Sequence, residues 1–245
     1  LNISGATQKT NYSLGLSYFN QEGIMKADND YNRFNFRARL DQKVTDWLDM
    51  GVNALVSRYN TQSPDTGAYF QAFVNPPVYD VYNDSNKSAY PVKYDSPQLY
   101  GFGNSYANPY AVAQYVDNKE KGTNLIFSTY AQLNFLGDKL NVKSSYNLDF
   151  QTYRTQGYVP EYFVGGSQGV SVSSLTKIFG QRDRHILDNT VTYADKIGSH
   201  NFTAMLGQSV RIERFTAMNG SAVSVPGYDS QAMYNLPAIM QLLIK

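Results

Sequence analysis

Apolar and polar residues alternate along much of the chain with a period of two. That is the spacing of a strand whose two faces meet different surroundings. Tyr12, Leu14, Leu16 and Tyr18 alternate with Ser13, Gly15 and Ser17, and Phe34, Phe36, Ala38 and Leu40 with Asn35, Arg37 and Arg39. Leu48, Met50, Val52, Ala54 and Val56 alternate with Asp49, Gly51, Asn53 and Leu55. The same pattern runs from Leu125 to Phe135 and from Leu140 to Phe150, where Lys143, Asn147 and Asp149 take the polar side. Weaker alternation near 184–193 and 200–212, and a strand entered in mid-element at 1–6, bring the expected number to about eight.

Each run covers about 10–12 residues, against about 5–6 for an average globular strand and about 9–11 for one tilted across a bilayer. The connections sharpen the contrast. Short ones at 7–9, 43–47, 137–139 and 195–198 alternate with long ones at 23–30, 60–123, 151–180 and beyond 213. In a meander of antiparallel strands, alternate connections lie at the same end. Short turns at one end and long loops at the other are the pattern of an outer-membrane barrel. The expected fold is therefore all-β, an antiparallel transmembrane barrel segment with long extracellular loops. Tyr, Phe, Leu and Val face lipid, and Asn35, Arg37, Arg39, Asn53, Lys143, Asn147 and Asp149 face the lumen or a plug. Charges such as these have no place in a dry core. Tyr18, Phe19, Tyr31, Trp47, Tyr59, Phe135 and Phe150 sit near strand ends and suit interfacial girdles.

Composition agrees. The chain has 245 residues, 21 tyrosines and 13 phenylalanines but one tryptophan, and a charge of +1. Near-neutrality argues against nucleic acid as a partner, because a duplex binder needs a basic face. The absence of cysteine removes disulfides, thiolate metal sites and thiol nucleophiles. No run of 18 apolar residues predicts a membrane helix, and the first 30 residues carry no signal-like segment. No cofactor is called for.

Four stretches (9–24, KTNYSLGLSYFNQEGI; 31–54, YNRFNFRARLDQKVTDWLDMGVNA; 108–113, NPYAVA; 140–150, LNVKSSYNLDF) resemble, in order, the SusC/RagA family of TonB-linked outer-membrane transporters. A fifth at 188–209, DNTVTYADKIGSHNFTAMLGQS, continues the resemblance. It implies a plugged barrel in the bacterial outer membrane that imports oligosaccharides or peptides. The implied partners are a SusD-like surface lipoprotein acting as a lid, TonB supplying energy, and outer-membrane lipid around the wall. A barrel of about 22 strands needs roughly 670 residues at about 31 per strand, so the chain corresponds to about a third of one. Neither a plug nor a TonB-contacting segment is recognisable in it, which points to a partial chain.

The competing expectation is a soluble β-sandwich, a lectin-like carbohydrate-binding module whose apolar faces pack on each other. The stretch 60–123 is the main binding candidate under either. It holds nine tyrosines, of which Tyr69, Tyr79, Tyr82, Tyr90, Tyr94 and Tyr100 are the ligand- or partner-contact candidates. It also holds Pro64, Pro76, Pro77, Pro91, Pro97 and Pro109. Tyr-rich, Pro-stiffened surface suits docking or sugar stacking at low entropic cost, or else packs on its own rings. Catalytic and metal signals are weak. GGSQG at 165–169 fits the G-x-S-x-G pattern but precedes alternating residues rather than a helix. His185 and His200 make a poor metal pair, and DVYNDSN at 80–86 lacks calcium-loop spacing.

Overall fold

The computed structural model describes residues 1–90 and 94–225; Pro91 lies outside them. Eight strands form one antiparallel sheet in the order β1-β2-β3-β4-β5-β6-β9-β10. They are β1 (Asn2–Ala6), β2 (Thr10–Glu22), β3 (Asp30–Lys43), β4 (Leu48–Ser63), β5 (Asp117–Phe135), β6 (Leu140–Val159), β9 (Ser174–Ile197) and β10 (His200–Val223). Between β4 and β5 lie α1 (Gly67–Val74), a 3-10 turn (Pro97–Tyr100) and α2 (Pro109–Gln114). Between β6 and β9 a small hairpin joins β7 (Tyr162–Gly165) to β8 (Gln168–Val170). No described helix is long and apolar enough to cross a membrane.

Successive strands of the main sheet pair antiparallel, and register sorts the side chains. Directly paired residues share a face, so Leu14, Ala38, Ala54, Phe127, Leu148 and His185 lie in one row. Arg39, Asn53, Ser128, Asn147 and Ile186 lie in the adjacent row on the other side. The sheet therefore has an apolar face and a polar face, as the alternation predicts. No second sheet covers the apolar face among the described residues: Leu14, Leu16, Phe36, Val52 and Val191 remain exposed. The sandwich expectation fails here, because its two apolar faces would have to bury each other.

The strands also run farther than their apolar stretches. β6 and β9 have 20 and 24 residues, about twice a membrane crossing. The connections expected at 60–123 and 151–180 shrink to 64–116 and 160–173. The outer strand halves put polar groups on both faces, so hydropathy gives no period there although the backbone ladder continues. Three of the expected girdle aromatics change side. Phe19, Tyr31 and Tyr59 belong to the polar face, where their rings neighbour one another at 6.0 and 6.4 Å.

The polar face contains joints in which a tyrosine lies over a glycine on the next strand. Tyr59 pairs with Gly122, Tyr130 with Gly51 and Tyr153 with Gly180. A Cβ added at Gly122 would stand 2.4 Å from the Tyr59 ring. These glycines serve close approach rather than backbone freedom, and the ring covers ladder hydrogen bonds a bare glycine would leave open. Gly122→Val is expected to cost about 1–3 kcal/mol through overpacking. It would lower the temperature at which the protein unfolds in detergent, whereas Gly103→Ala, where a Cβ meets open space, would not.

Candidate functional site: a polar wall and an outer tyrosine unit

The polar face is a hydrogen-bonded surface. Arg33 donates to the Asn35 carbonyl oxygen (2.7 Å) and to Ser57 (3.0 Å), and Ser57 donates to the same Asn35 oxygen (2.6 Å). Asn35 in turn donates to Ser17 at 3.0 Å. Arg39 pairs with Asp41 at 2.7 Å, and Asp41 also accepts from the Tyr130 hydroxyl at 3.1 Å. The Lys143 ammonium lies 4.5 Å from the centre of the Tyr130 ring. Farther along, Glu213 gathers Arg182, Arg184 and Arg211, and Arg184 reaches Asp149 at 3.5 Å.

Some predicted wall residues stand apart from this network. Arg37 makes no hydrogen bond or ion pair among the described residues, and the buried Asn53 carbonyl oxygen has no partner. Both line a cavity of about 150 Å³ with Arg39, Asp41, Gly51, Ser128 and Tyr130. Asn147 lies between Ser128 and Ile186 in the register. A wall that leaves the exposed Arg37 donor unpaired beside this hollow can bind a polar side chain or ligand there.

The second half of the site is at the long-loop end. Here 64–116 and 160–173 fold into one unit around Tyr94, Ala111, Tyr115 and Val164, all buried. Tyr115 stacks on Tyr162 with ring centres 4.1 Å apart, and Tyr94 meets Tyr82 at 5.2 Å and Tyr115 at 5.5 Å. The backbones of Tyr90 and Phe163 exchange hydrogen bonds at 2.7 and 3.0 Å. Asn86 donates to the carbonyls of Tyr94 and Val164, both at 2.9 Å.

Asn108 is the centre of this unit and explains part of the NPYAVA stretch. Its side-chain oxygen caps α2 by accepting from the backbone of Tyr110 (3.0 Å) and Ala111 (3.3 Å), with Pro109 at the first helical position. Its side-chain nitrogen donates to the carbonyls of Val81 (3.0 Å) and Asp95 (2.9 Å). Its backbone is held from both sides by Gln168, at 2.7 and 3.0 Å. One buried residue thus ties α2, the middle of the first loop and the hairpin of the second.

The tyrosine candidates divide by burial. Tyr69, Tyr82, Tyr90 and Tyr100 are about half exposed, while Tyr94 is 1% exposed and its hydroxyl donates to Gln114 at 2.5 Å. Burial pushes the Tyr94 phenol up, and raises Tyr79 to about 12 with help from Asp95. Tyr100 is raised mainly by donating to the Asp95 carboxylate at 2.9 Å. Asp95, 1% exposed, also accepts from Asn83 at 2.8 Å. Phe70 and Phe73 on α1 are exposed at 63% and 89%, and sequence reasoning passed over them because the helix itself was not expected.

The weak catalytic and metal signals dissolve into ordinary structure. Ser167 sits at the tip of the β7–β8 hairpin beside Gly166 (φ +56°) and donates to the Asn104 carbonyl, with no helix behind it. His185 faces the Tyr146 hydroxyl at 2.7 Å and Asp183 at 3.4 Å. Asn83 and Asn86 turn inward to hold the loop.

Against known proteins, no family model matches the chain. It is 26% identical over 215 residues to TonB-dependent receptor P26 of Formosa agariphila, covering 85% of this chain and 20% of that protein. Its fold matches the RagAB peptide transporter with a TM-score of 0.69 at 18% identity, over 91% of this chain and 25% of that one. The RagAB peptide importer in its closed-closed and open-open states gives TM-scores of 0.66 at 19% and 20% identity. The chain is a homologue of a TonB-dependent receptor and matches part of the RagA barrel. It spans about a fifth of the curated relative and about a quarter of the solved chains.

Two outcomes follow for the outer unit. Asn108→Ala removes the cap and the side-chain donor of the buried Asp95 carbonyl, while Val81 keeps the Asp95 N–H, a cost of about 2 kcal/mol. Hydrogen exchange and proteolysis would then rise across 64–116 and 160–173 while the wall strands stay protected. The raised Tyr79 favours its protonated, folded form. Its contribution is complete below the ordinary value of 10.0 and is lost as pH rises toward about 12. Protease sensitivity of the unit should therefore rise in that alkaline window and stay flat below it.

Proposed function

We propose that this chain is a section of the wall, with its outer loops, of a TonB-dependent outer-membrane importer of oligosaccharides or peptides. TonB-dependent receptors reside in the bacterial outer membrane and are transporters rather than enzymes. The observation that carries the proposal is the parity sorting of a single-layer sheet. One face is apolar and uncovered, the other charged and hydrogen-bonded. Lipid on one side and a wet lumen on the other satisfy both at once.

Within that importer, Arg37, Arg39, Asn53, Lys143, Asn147 and Asp149 face the plug or the passing ligand. Arg37 supplies the unpaired donor. The outer unit offers Tyr69, Tyr79, Tyr82, Tyr90 and Tyr100 to ligand or to a SusD-like lipoprotein, with Tyr94 buttressing them from within. The fold match to a peptide importer supports peptides as one ligand class. Energy from TonB would act on a plug that closes the lumen.

Cells carrying the full-length protein should take up labelled oligopeptides or oligosaccharides only with TonB and a proton-motive force. Arg37→Gln should lower uptake several-fold without changing the amount of barrel in the outer membrane. Uptake that survives loss of TonB, or a protein absent from the outer membrane, would contradict the proposal.

A further inference from the structure

The lumen and the outer unit leave unexplained a set of charges on the opposite side of the wall. Toward the long-loop end, the apolar face ends with Val56 on β4, Leu125 on β5 and Phe150 on β6. The next positions on that face are Arg58 on β4, Thr123 and Lys121 on β5, and Thr152 and Arg154 on β6. Register sets Lys121 directly opposite Arg154, and Arg58 opposite Thr123, one diagonal step from Lys121. All three basic residues are exposed, and none pairs with a carboxylate among the described residues. Glu120, next to Lys121 in sequence, points to the other face, where it accepts from Tyr59 and Thr155. Arg154 rests 5.7 Å from the centre of the Phe179 ring, and Lys119, one step farther out, is held by Asp117.

Like charges directly opposite on neighbouring strands are unfavourable, and sheets ordinarily place opposite charges there. The location indicates what relieves the repulsion. With a rise of about 3.3 Å per residue and a tilt of about 45°, Lys121 and Arg154 stand about 9 Å beyond Leu125 and Phe150, level with Phe179 of β9. Long basic side chains reach back toward the boundary, so their charges lie at the headgroup layer of the outer leaflet. Strands about 4.8 Å apart gather the three cations within about 12 Å. Asn60, Thr123, Thr152 and Gln156 flank them on the same face with hydroxyl and amide groups.

We propose that Arg58, Lys121 and Arg154 bind the phosphorylated headgroup of a glycolipid in the outer leaflet. The cations take the phosphate through charge-assisted hydrogen bonds, and the flanking polar groups meet sugar hydroxyls. The proposal rests on the wall spanning the outer membrane.

The test uses full-length protein from outer membranes, reconstituted in phosphatidylethanolamine vesicles with purified lipopolysaccharide, dephosphorylated lipopolysaccharide or inorganic phosphate. The parent protein should retain phosphorylated lipopolysaccharide about thirty-fold more tightly than Lys121→Gln/Arg154→Gln, at about a kilocalorie-scale effect for each cation. Lys87→Gln, which removes one charge from the outer unit, should bind like the parent. If the double variant does not assemble, Arg58→Gln, outside the opposed pair, should still show about a five-fold loss. Equal binding by parent and variants, equal binding of the dephosphorylated lipid, full competition by inorganic phosphate, or an acidic protein in place of lipid would overturn the inference. Absence of the parent from the outer membrane would instead overturn the reading on which it rests.

Discussion

Everything in this structure depends on one constraint: a wall one strand thick separates two different media. Its backbone groups cannot turn to lipid for hydrogen bonds, so they are satisfied sideways, strand to strand. That leaves side chains to sort by parity, odd positions to one medium and even positions to the other. In β3, Phe34, Phe36, Ala38 and Leu40 take one side, while Asn35, Arg37, Arg39 and Asp41 take the other. A one-residue slip would exchange every one of them. The tyrosine–glycine joints pin the register that this sorting requires, because a ring fits only where the opposite residue has no side chain.

The same constraint moves the ordinary hydrophobic core elsewhere. The buried apolar residues lie in the outer unit (Ala68, Tyr94, Ala111, Ala113, Tyr115 and Val164) and at the outer end of the wall (Tyr158, Leu175 and Val225). Polar residues organise that core as much as apolar ones. Asn86, Asn108 and Gln168 are buried and fully used on backbone groups, which lets two loops without long regular elements hold a single arrangement. A rigid tyrosine surface on such a base loses little entropy when something docks on it.

The sequence made the faces legible wherever the two media differ most. From Tyr12 to Phe150 the alternation marked β2 to β6 and assigned Arg37, Arg39, Lys143 and Asp149 to the polar side. It ran out where water wets both faces, so β6 was followed to Phe150 although its ladder continues to Val159. Phe19, Tyr31 and Tyr59 suit a lipid girdle by sequence alone, because an aromatic near a strand end carries no parity label of its own; only the register shows their side. The joining of the two long loops was illegible for another reason. Its contacts link residues such as Asn86 and Val164, 78 positions apart, through backbone carbonyls that every residue possesses.

Parity of exposure is the central claim, and the absence of cysteine from the chain makes it directly measurable. Single cysteines would be placed from Phe34→Cys to Asp41→Cys in the full-length protein in its membrane, with any cysteine outside these 245 residues replaced. Each would be probed with a water-soluble thiol reagent and, as a spin label, with a lipid-soluble quencher. The account predicts strict alternation: positions 35, 37, 39 and 41 react from water, and 34, 36, 38 and 40 are quenched from lipid. Uniform labelling from water along the strand would contradict it.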